Sequence, residues 1–230
     1  MASILLTGAT GTVGSQVLTL LIESPAVSKV TIVARRTTPD VVSEKVHHVI
    51  AKDFGTVRWQ DITPGIDAVI WCMGGKFNSL PLSMAEYEAM VVTWPLACAS
   101  ALAPTARFVD ISGAFVSRTE TAGKSVGWDM FEIVTRNLKG RFEARLLELP
   151  GLSKIILQPC GIVDASTGLA ARAMVRGFPS RVIDVKSLAT VAVHAALHGP
   201  NVKGKDTYAN AEIGTWAKEL QTAPGLKNLE

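Results

Sequence analysis

The chain has 230 residues, 48% of them hydrophobic, which is enough to bury a substantial core in a single domain. Lys and Arg number 23 against 20 Asp and Glu, and the isoelectric point near 8.8 comes without any basic run. That balance excludes a nucleic-acid-binding or membrane-surface stripe. Cys72, Cys98 and Cys160 are odd in number and far apart, fitting neither a disulfide framework nor a zinc pair, so reduced thiols in the cytoplasm are expected. No apolar run approaches the ~20 residues of a membrane span, and the first strand starts almost at Met1, which leaves no room for a leader.

That first strand, Ser3 to Thr7, runs into Gly8-Ala9-Thr10-Gly11-Thr12-Val13-Gly14, and Val17 to Ile22 follows as an apolar helical face. A strand feeding a glycine-rich turn into a helix is the phosphate-binding turn of a dinucleotide fold. Gly8 allows the tight turn, Gly11 lets the backbone approach a pyrophosphate, and Gly14 lets the helix sit close on the sheet. The helix N-terminus adds N–H donors and a positive dipole end. Thr10, Thr12 and Val13 belong to the same cradle.

The second strand, Lys29 to Ala34, ends in Arg35-Arg36, about 21 residues beyond Gly14. A carboxylate there would hold the ribose 2′-hydroxyl of NAD; two planar guanidinium forks suit the extra phosphate of NADP. The bland alternative is a pair of solvated loop charges. Val46 to Ala51 is the third strand, with His47 and His48 on opposite faces, an arrangement that argues against a shared metal. Asp53 and Phe54 follow at its carboxyl end, where adenine can be contacted.

Asp67 to Met73 is the fourth strand, and Cys72 and Gly74 stand at its cofactor edge. A helix from Leu82 to Leu102 contains Tyr87 and is expected to kink at Trp94-Pro95. Arg107 to Ile111 is the fifth strand, with Ser112-Gly113 at its end and a loop from Ala114 to Gly127. The next helix runs from Trp128 to Leu149 with Asp129 and Glu132 near its start. Lys154 to Leu157 leads into Gln158-Pro159-Cys160-Gly161. Residues 166–180 read as irregular, 187–198 as helix, 206–211 as a last strand and 214–220 as a terminal helix. His194 and His198 have helical i, i+4 spacing but no nearby carboxylate, and read as ordinary helix-face histidines. Trp71, Trp94 and Trp128 suit either a pocket wall or the core.

The alternation predicts an α/β fold: a single-domain, doubly wound parallel sheet of the Rossmann kind with helices on both faces, spanning 1–230. Segments at about 160–185 and 204–222 are expected to cover the substrate. Ligands of such sheets bind beyond the strands' carboxyl ends, where Arg35, Asp53, Gly74, Ser112 and Pro159 all fall.

Thr7 to Gly14, Arg35-Arg36, Cys72-Met73-Gly74, Ile111-Ser112-Gly113, Lys139 to Glu143 and Asp184 to Ala189 together resemble the short-chain dehydrogenase/reductase superfamily. The chain looks most like its atypical group with NmrA-like and Tat-interacting-protein-like domains. In that family a Ser positions the substrate carbonyl, a Tyr transfers the proton, and a Lys four residues later holds the nicotinamide ribose. The resemblance gives Ser112 the first role and Lys139 the last. Thr135 stands where the Tyr belongs, and neither Tyr87 nor Tyr208 precedes a Lys by four. General acid catalysis is worth roughly 10²–10⁴-fold, so the substitution matters.

Three readings stay open. Another acid (Asp164, Asp129 or Tyr87) reaches the site, or Arg118 polarises the carbonyl. Alternatively the reduced bond is an iminium or activated alkene that needs no tyrosine. In the third reading the protein binds NADP(H) without redox turnover, as a sensor, isomerase or cyclase. The expectation is an NADP(H)-binding oxidoreductase, NADPH preferred over NADH, acting on a lipophilic or aromatic small molecule as a monomer or homodimer. No metal is expected.

Overall fold

The computed structural model describes residues 1–38, 41–75, 80–120 and 130–222, leaving aside the side chains of 130–132 and 167. Along the chain the strands are β1 (Ala2–Thr7), β2 (Val27–Ala34), β3 (Val46–Ile50), β4 (Ala68–Trp71) and β5 (Arg107–Ile111). They continue as β6 (Ser153–Gln158), β7 (Gly161–Val163), β8 (Val182–Asp184) and β9 (Thr207–Ala209). The helices are α1 (Thr12–Glu23), α2 (Trp59–Ile62), α3 (Met84–Glu88), α4 (Trp94–Ser100), α5 (Met130–Glu148), α6 (Leu169–Gly177), α7 (Val185–His198) and α8 (Asn210–Thr222).

Among the described residues seven strands form one parallel sheet in the order β3-β2-β1-β4-β5-β6-β9. The strands are near-continuous apolar runs because both faces are covered. On one face α1, α7 and α8 bury Leu21, Leu188, Ala192 and Trp216 against Ile4, Leu6 and Ile70. On the other, α2 to α5 bury Trp59, Val91, Cys98, Phe142 and Leu146 against Leu5, Val69 and Phe108. The strand order reverses between β1 and β4, which opens a crevice at their carboxyl ends. That crevice positions the site.

Local chemistry explains the helix boundaries. Ser83 and Glu86 close a capping box on α3. The expected Trp94-Pro95 kink takes the form of a five-residue wide turn, Ala89–Thr93, joining α3 to α4 just before the residue that lacks an N–H. Asp184 caps α7 by accepting from the Lys186 and Ser187 N–H groups at 3.1 and 3.2 Å.

One expectation changes. Residues 166–180 carry a regular helix, α6, flanked by the small β7–β8 pair. In the 204–222 segment β9 extends the main sheet from β6, and α8 packs on α7 with Trp216 buried. Its apolar residues (Tyr208, Ile213, Trp216) therefore serve the core.

Candidate functional site

The turn after β1 is made of backbone. Gly8 has a φ of +69°, and a Cβ there would lie 2.6 Å from the Cys72 carbonyl oxygen. A Cβ on Gly14 would lie 2.0 Å from the Gly8 carbonyl oxygen, so only glycine lets α1 dock on the turn. The N-cap of α1 is Gly11, which brings no side chain to occupy the first N–H groups, and its first turn carries no acidic residue. Uncapped donors with no local negative charge fit a pyrophosphate.

A cavity of about 550 Å³ opens beside this turn, within the range of small-molecule and cofactor sites. Gly11, Thr12 and Val13 line one end and Ser112, Pro159, Thr135 and Lys139 the other, with Cys72 and Gly74 between them. Apolar walls come from Ile111, Val116 and Ile162, and Phe115 stands 60% exposed at the rim. Lys139 points from α5 to the cavity floor. Its Nζ lies 3.7 and 3.8 Å from the places a Cβ would take on Gly74 and Gly113, and it donates to the Ser112 carbonyl at 3.0 Å. Burial pushes the Lys139 ammonium below its ordinary pKa, and the Asp110 and Glu143 charges pull it partly back. Behind it, burial lifts the Asp110 carboxyl to about 8; Lys139 opposes the rise and Glu143 adds to it. Burial and the Asp110 charge together hold Cys72 as a thiol.

Glu143, one turn beyond Lys139 on the same face of α5, organises this end. Its fully buried carboxylate accepts from Ser112 Oγ at 2.6 Å, from Arg118 Nε at 2.8 Å and from Gln158 Nε2 at 3.0 Å. Arg118 also donates to Thr207 Oγ1 at 2.7 Å. Gly140 makes the meeting possible, because a Cβ there would sit 1.9 Å from the Ser117 carbonyl oxygen and hold Arg118 away from α5. Asp110 and Glu143 were not singled out by residue patterns; the signal available was Lys139 and Glu143 at i, i+4 around a mid-helix glycine.

Several expected contributors stand elsewhere. Ser112 lines the cavity, but its proton goes to Glu143, so it meets a ligand as an acceptor. Arg118 is committed to Glu143 and Thr207 and does not line the cavity. Asp164 caps its own turn, accepting from the Ser166 N–H and hydroxyl at 2.9 and 2.5 Å; those bonds hold its pKa low, which disqualifies it as an acid at neutral pH. Asp53 likewise accepts from Gly55 N–H at 2.8 Å. The Phe54 ring is 4% exposed and stacks on Trp94 at 5.3 Å, so it packs in the core and leaves any adenine contact to the backbone. Trp71 stacks on Phe108 in the same core. Asp129 and Trp128 lie outside the described residues. Tyr87 donates to the Gly75 carbonyl at 2.8 Å and is hydrogen-bonded to Thr135, so a tyrosine from α3 backs that threonine. Burial raises its pKa, making it a weaker proton donor than an exposed phenol.

Arg36 and Thr10 line a second cavity of about 650 Å³ on the far side of the turn, with Thr37, Thr38 and the outer face of α1; Arg35 is exposed beside it.

A sequence profile described as NAD(P)H-binding matches residues 8–199, from the first glycine of the turn to the end of α7. The chain belongs to this NAD(P)H-binding family. Comparison with curated protein sequences finds no match. The family's fold recurs in solved structures. A short-chain dehydrogenase/reductase from Saccharomyces cerevisiae is 16% identical, with a TM-score of 0.61 over 100% of this chain and 99% of that one. An Agrobacterium tumefaciens superfamily protein with bound NAD is 15% identical, with a TM-score of 0.63 over 97% and 83%. MoeE5, in complex with UDP-glucose and NAD, is 18% identical, with a TM-score of 0.61 over 95% and 82%. The NAD(P)H-binding chain thus shares the fold of these proteins. Among the described residues no helix is long and apolar enough to cross a membrane, and no group of three or more His, Cys, Asp or Glu is placed to hold a metal.

Proposed function

We propose that this protein is an NADPH-preferring oxidoreductase of the atypical, tyrosine-lacking group, reducing a lipophilic or aromatic carbonyl compound. The observation that carries the reading is one cavity with a side-chain-free glycine turn at one end and the buried Lys139 ammonium at the other. In this reading the turn Gly8–Gly14 and the α1 N-terminus hold the pyrophosphate, Arg35 and Arg36 hold the 2′-phosphate, and Gly74, Cys72 and Pro159 border the nicotinamide half. A bound, reduced nicotinamide supplies hydride.

The chain itself must supply the proton. Ser112 has spent its proton on Glu143, and Arg118 and Asp164 are engaged away from the cavity. Lys139 lines the cavity with one N–H given to Ser112, leaving two for a ligand, and burial lowers its pKa, which makes it a better proton donor than an exposed lysine. It gives one proton to the oxygen of the reduced carbonyl, leaving a neutral amine. The protonated Asp110 carboxyl behind it then gives its proton to the amine, leaving a carboxylate beside the ammonium, and a proton from solvent returns Asp110 to the acid. The 160–185 segment, whose Cys160, Gly161 and Ile162 line the cavity, covers the substrate.

NADPH oxidation with an aromatic aldehyde and quinone panel tests this. Wild type consumes NADPH with at least one member, and Lys139→Met lowers kcat by roughly 10²–10⁴-fold. NADPH binding without consumption by any member would contradict the reductase. It would favour the non-redox alternative, a sensor, isomerase or cyclase, which the engaged Ser112 and Arg118 also support.

A further inference from the structure

The two arginines stand on a short arch beyond β2, and both feet of the arch are tied to β3. Upstream, Ala51 N–H donates to the Ala34 carbonyl at 2.9 Å. Downstream, Thr38 is 8% exposed, and its N–H and hydroxyl both approach Nε2 of His48, at 3.3 and 2.8 Å. A backbone N–H can only donate, so Nε2 is the accepting nitrogen, the hydroxyl also donates to it, and Nδ1 carries the ring proton. His48 sits in mid-strand opposite Ile32 of β2, on the most regular part of the sheet edge, so its ring is a fixed post. Thr38 and Thr37 then form a wall of the 650 Å³ cavity, with Arg36 between them and the tied Ala34 and Thr10 across from them.

We infer that His48 is a positioning residue for cofactor choice. By accepting two bonds from Thr38, it holds the Arg36-Thr37-Thr38 wall at the distance from Thr10 that a 2′-phosphate requires. This rests on the proposed NADPH reading. A guanidinium on an arch pinned at both ends loses less conformational freedom on meeting a phosphate than one on an arch pinned at one end. The benefit falls on NADPH, because NADH has no phosphate for the wall to meet. His48 itself lines neither cavity, so a loosened arch leaves the rest of the cofactor site intact.

Dissociation constants for NADPH and NADH, measured by tryptophan-to-nicotinamide energy transfer, test the inference. His48→Ala is expected to weaken NADPH about five- to tenfold, the scale of a lost hydrogen-bond pair, and NADH less than about twofold. His48→Gln, whose amide oxygen can accept from Thr38, is expected to stay within about twofold of wild type for both. Thr38→Val, which keeps the N–H and removes the hydroxyl, gives a smaller loss in the same direction and serves if His48→Ala does not fold. An unchanged NADPH-to-NADH ratio in His48→Ala and Thr38→Val, or equal weakening of both cofactors, would overturn the role of His48. A wild type that binds the two cofactors equally would overturn the NADPH reading itself.

Discussion

The two ends of the cavity are built on opposite plans. The phosphate end is made of main chain and missing side chains: Gly8, Gly11 and Gly14 within seven consecutive residues, and a helix start with no cap. The chemical end is made of side chains gathered from four separate places: Asp110 on β5 with Ser112 just beyond it, Arg118 from the following loop, Lys139 and Glu143 on α5, and Gln158 on β6. A phosphate needs only donors and room, which a local turn supplies. A buried lysine with carboxylates around it needs side chains brought together from distant parts of the chain, which only the assembled fold supplies.

Breaking the keystone of the chemical end should have the largest effect. Glu143→Ala leaves Ser112, Gln158 and the Arg118 guanidinium without their common acceptor. The expected loss of stability is about 3–5 kcal/mol, read as a lowered denaturant midpoint with an unchanged slope. Glu143→Gln keeps a carbonyl acceptor and should lose less. Equal stability of wild type and Glu143→Ala would show that the network is not what holds this end together.

A smaller effect isolates Asp110. Its folded pKa of about 8 lies above its ordinary 3.8, so the folded state binds the proton more tightly than the unfolded one. The stabilisation is complete below about pH 4 and is lost as pH rises through about 8. Asp110→Asn keeps the neutral shape and removes the titration. The stability of wild type relative to Asp110→Asn should therefore fall by more than about 1 kcal/mol between pH 4.5 and 9. A flat difference would mean that Asp110 is ionised throughout and cannot recharge Lys139.

What could be read from residues follows the same division. The glycine turn, the strand alternation and the Arg35-Arg36 pair are local patterns, and the doubly wound sheet follows from them. Residues 166–180 read as irregular because Gly168, Gly177 and Pro179 punctuate them; α6 is short and buries no residue, and Leu169 at its start and Phe178 after it are exposed. Phe54 looked available for adenine because strand-end position does not reveal which face the next turn presents; its packing on Trp94, forty residues away, decides that. Ser112, Arg118 and Asp164 were rightly noticed as polar residues at strand and loop ends. Ser112 and Arg118 share Glu143 as a partner 31 and 25 residues away, which leaves no periodic trace, whereas the bond of Asp164 to Ser166 is local.

The most direct test of the central claim is NADPH titration followed by energy transfer from tryptophan, run on wild type beside Gly14→Ala, whose added Cβ would fall 2.0 Å from the Gly8 carbonyl oxygen. The account predicts saturable transfer in wild type, at lower concentration for NADPH than for NADH, and an affinity loss of about a hundredfold in the variant. No transfer in wild type, or undiminished binding by Gly14→Ala, would contradict it.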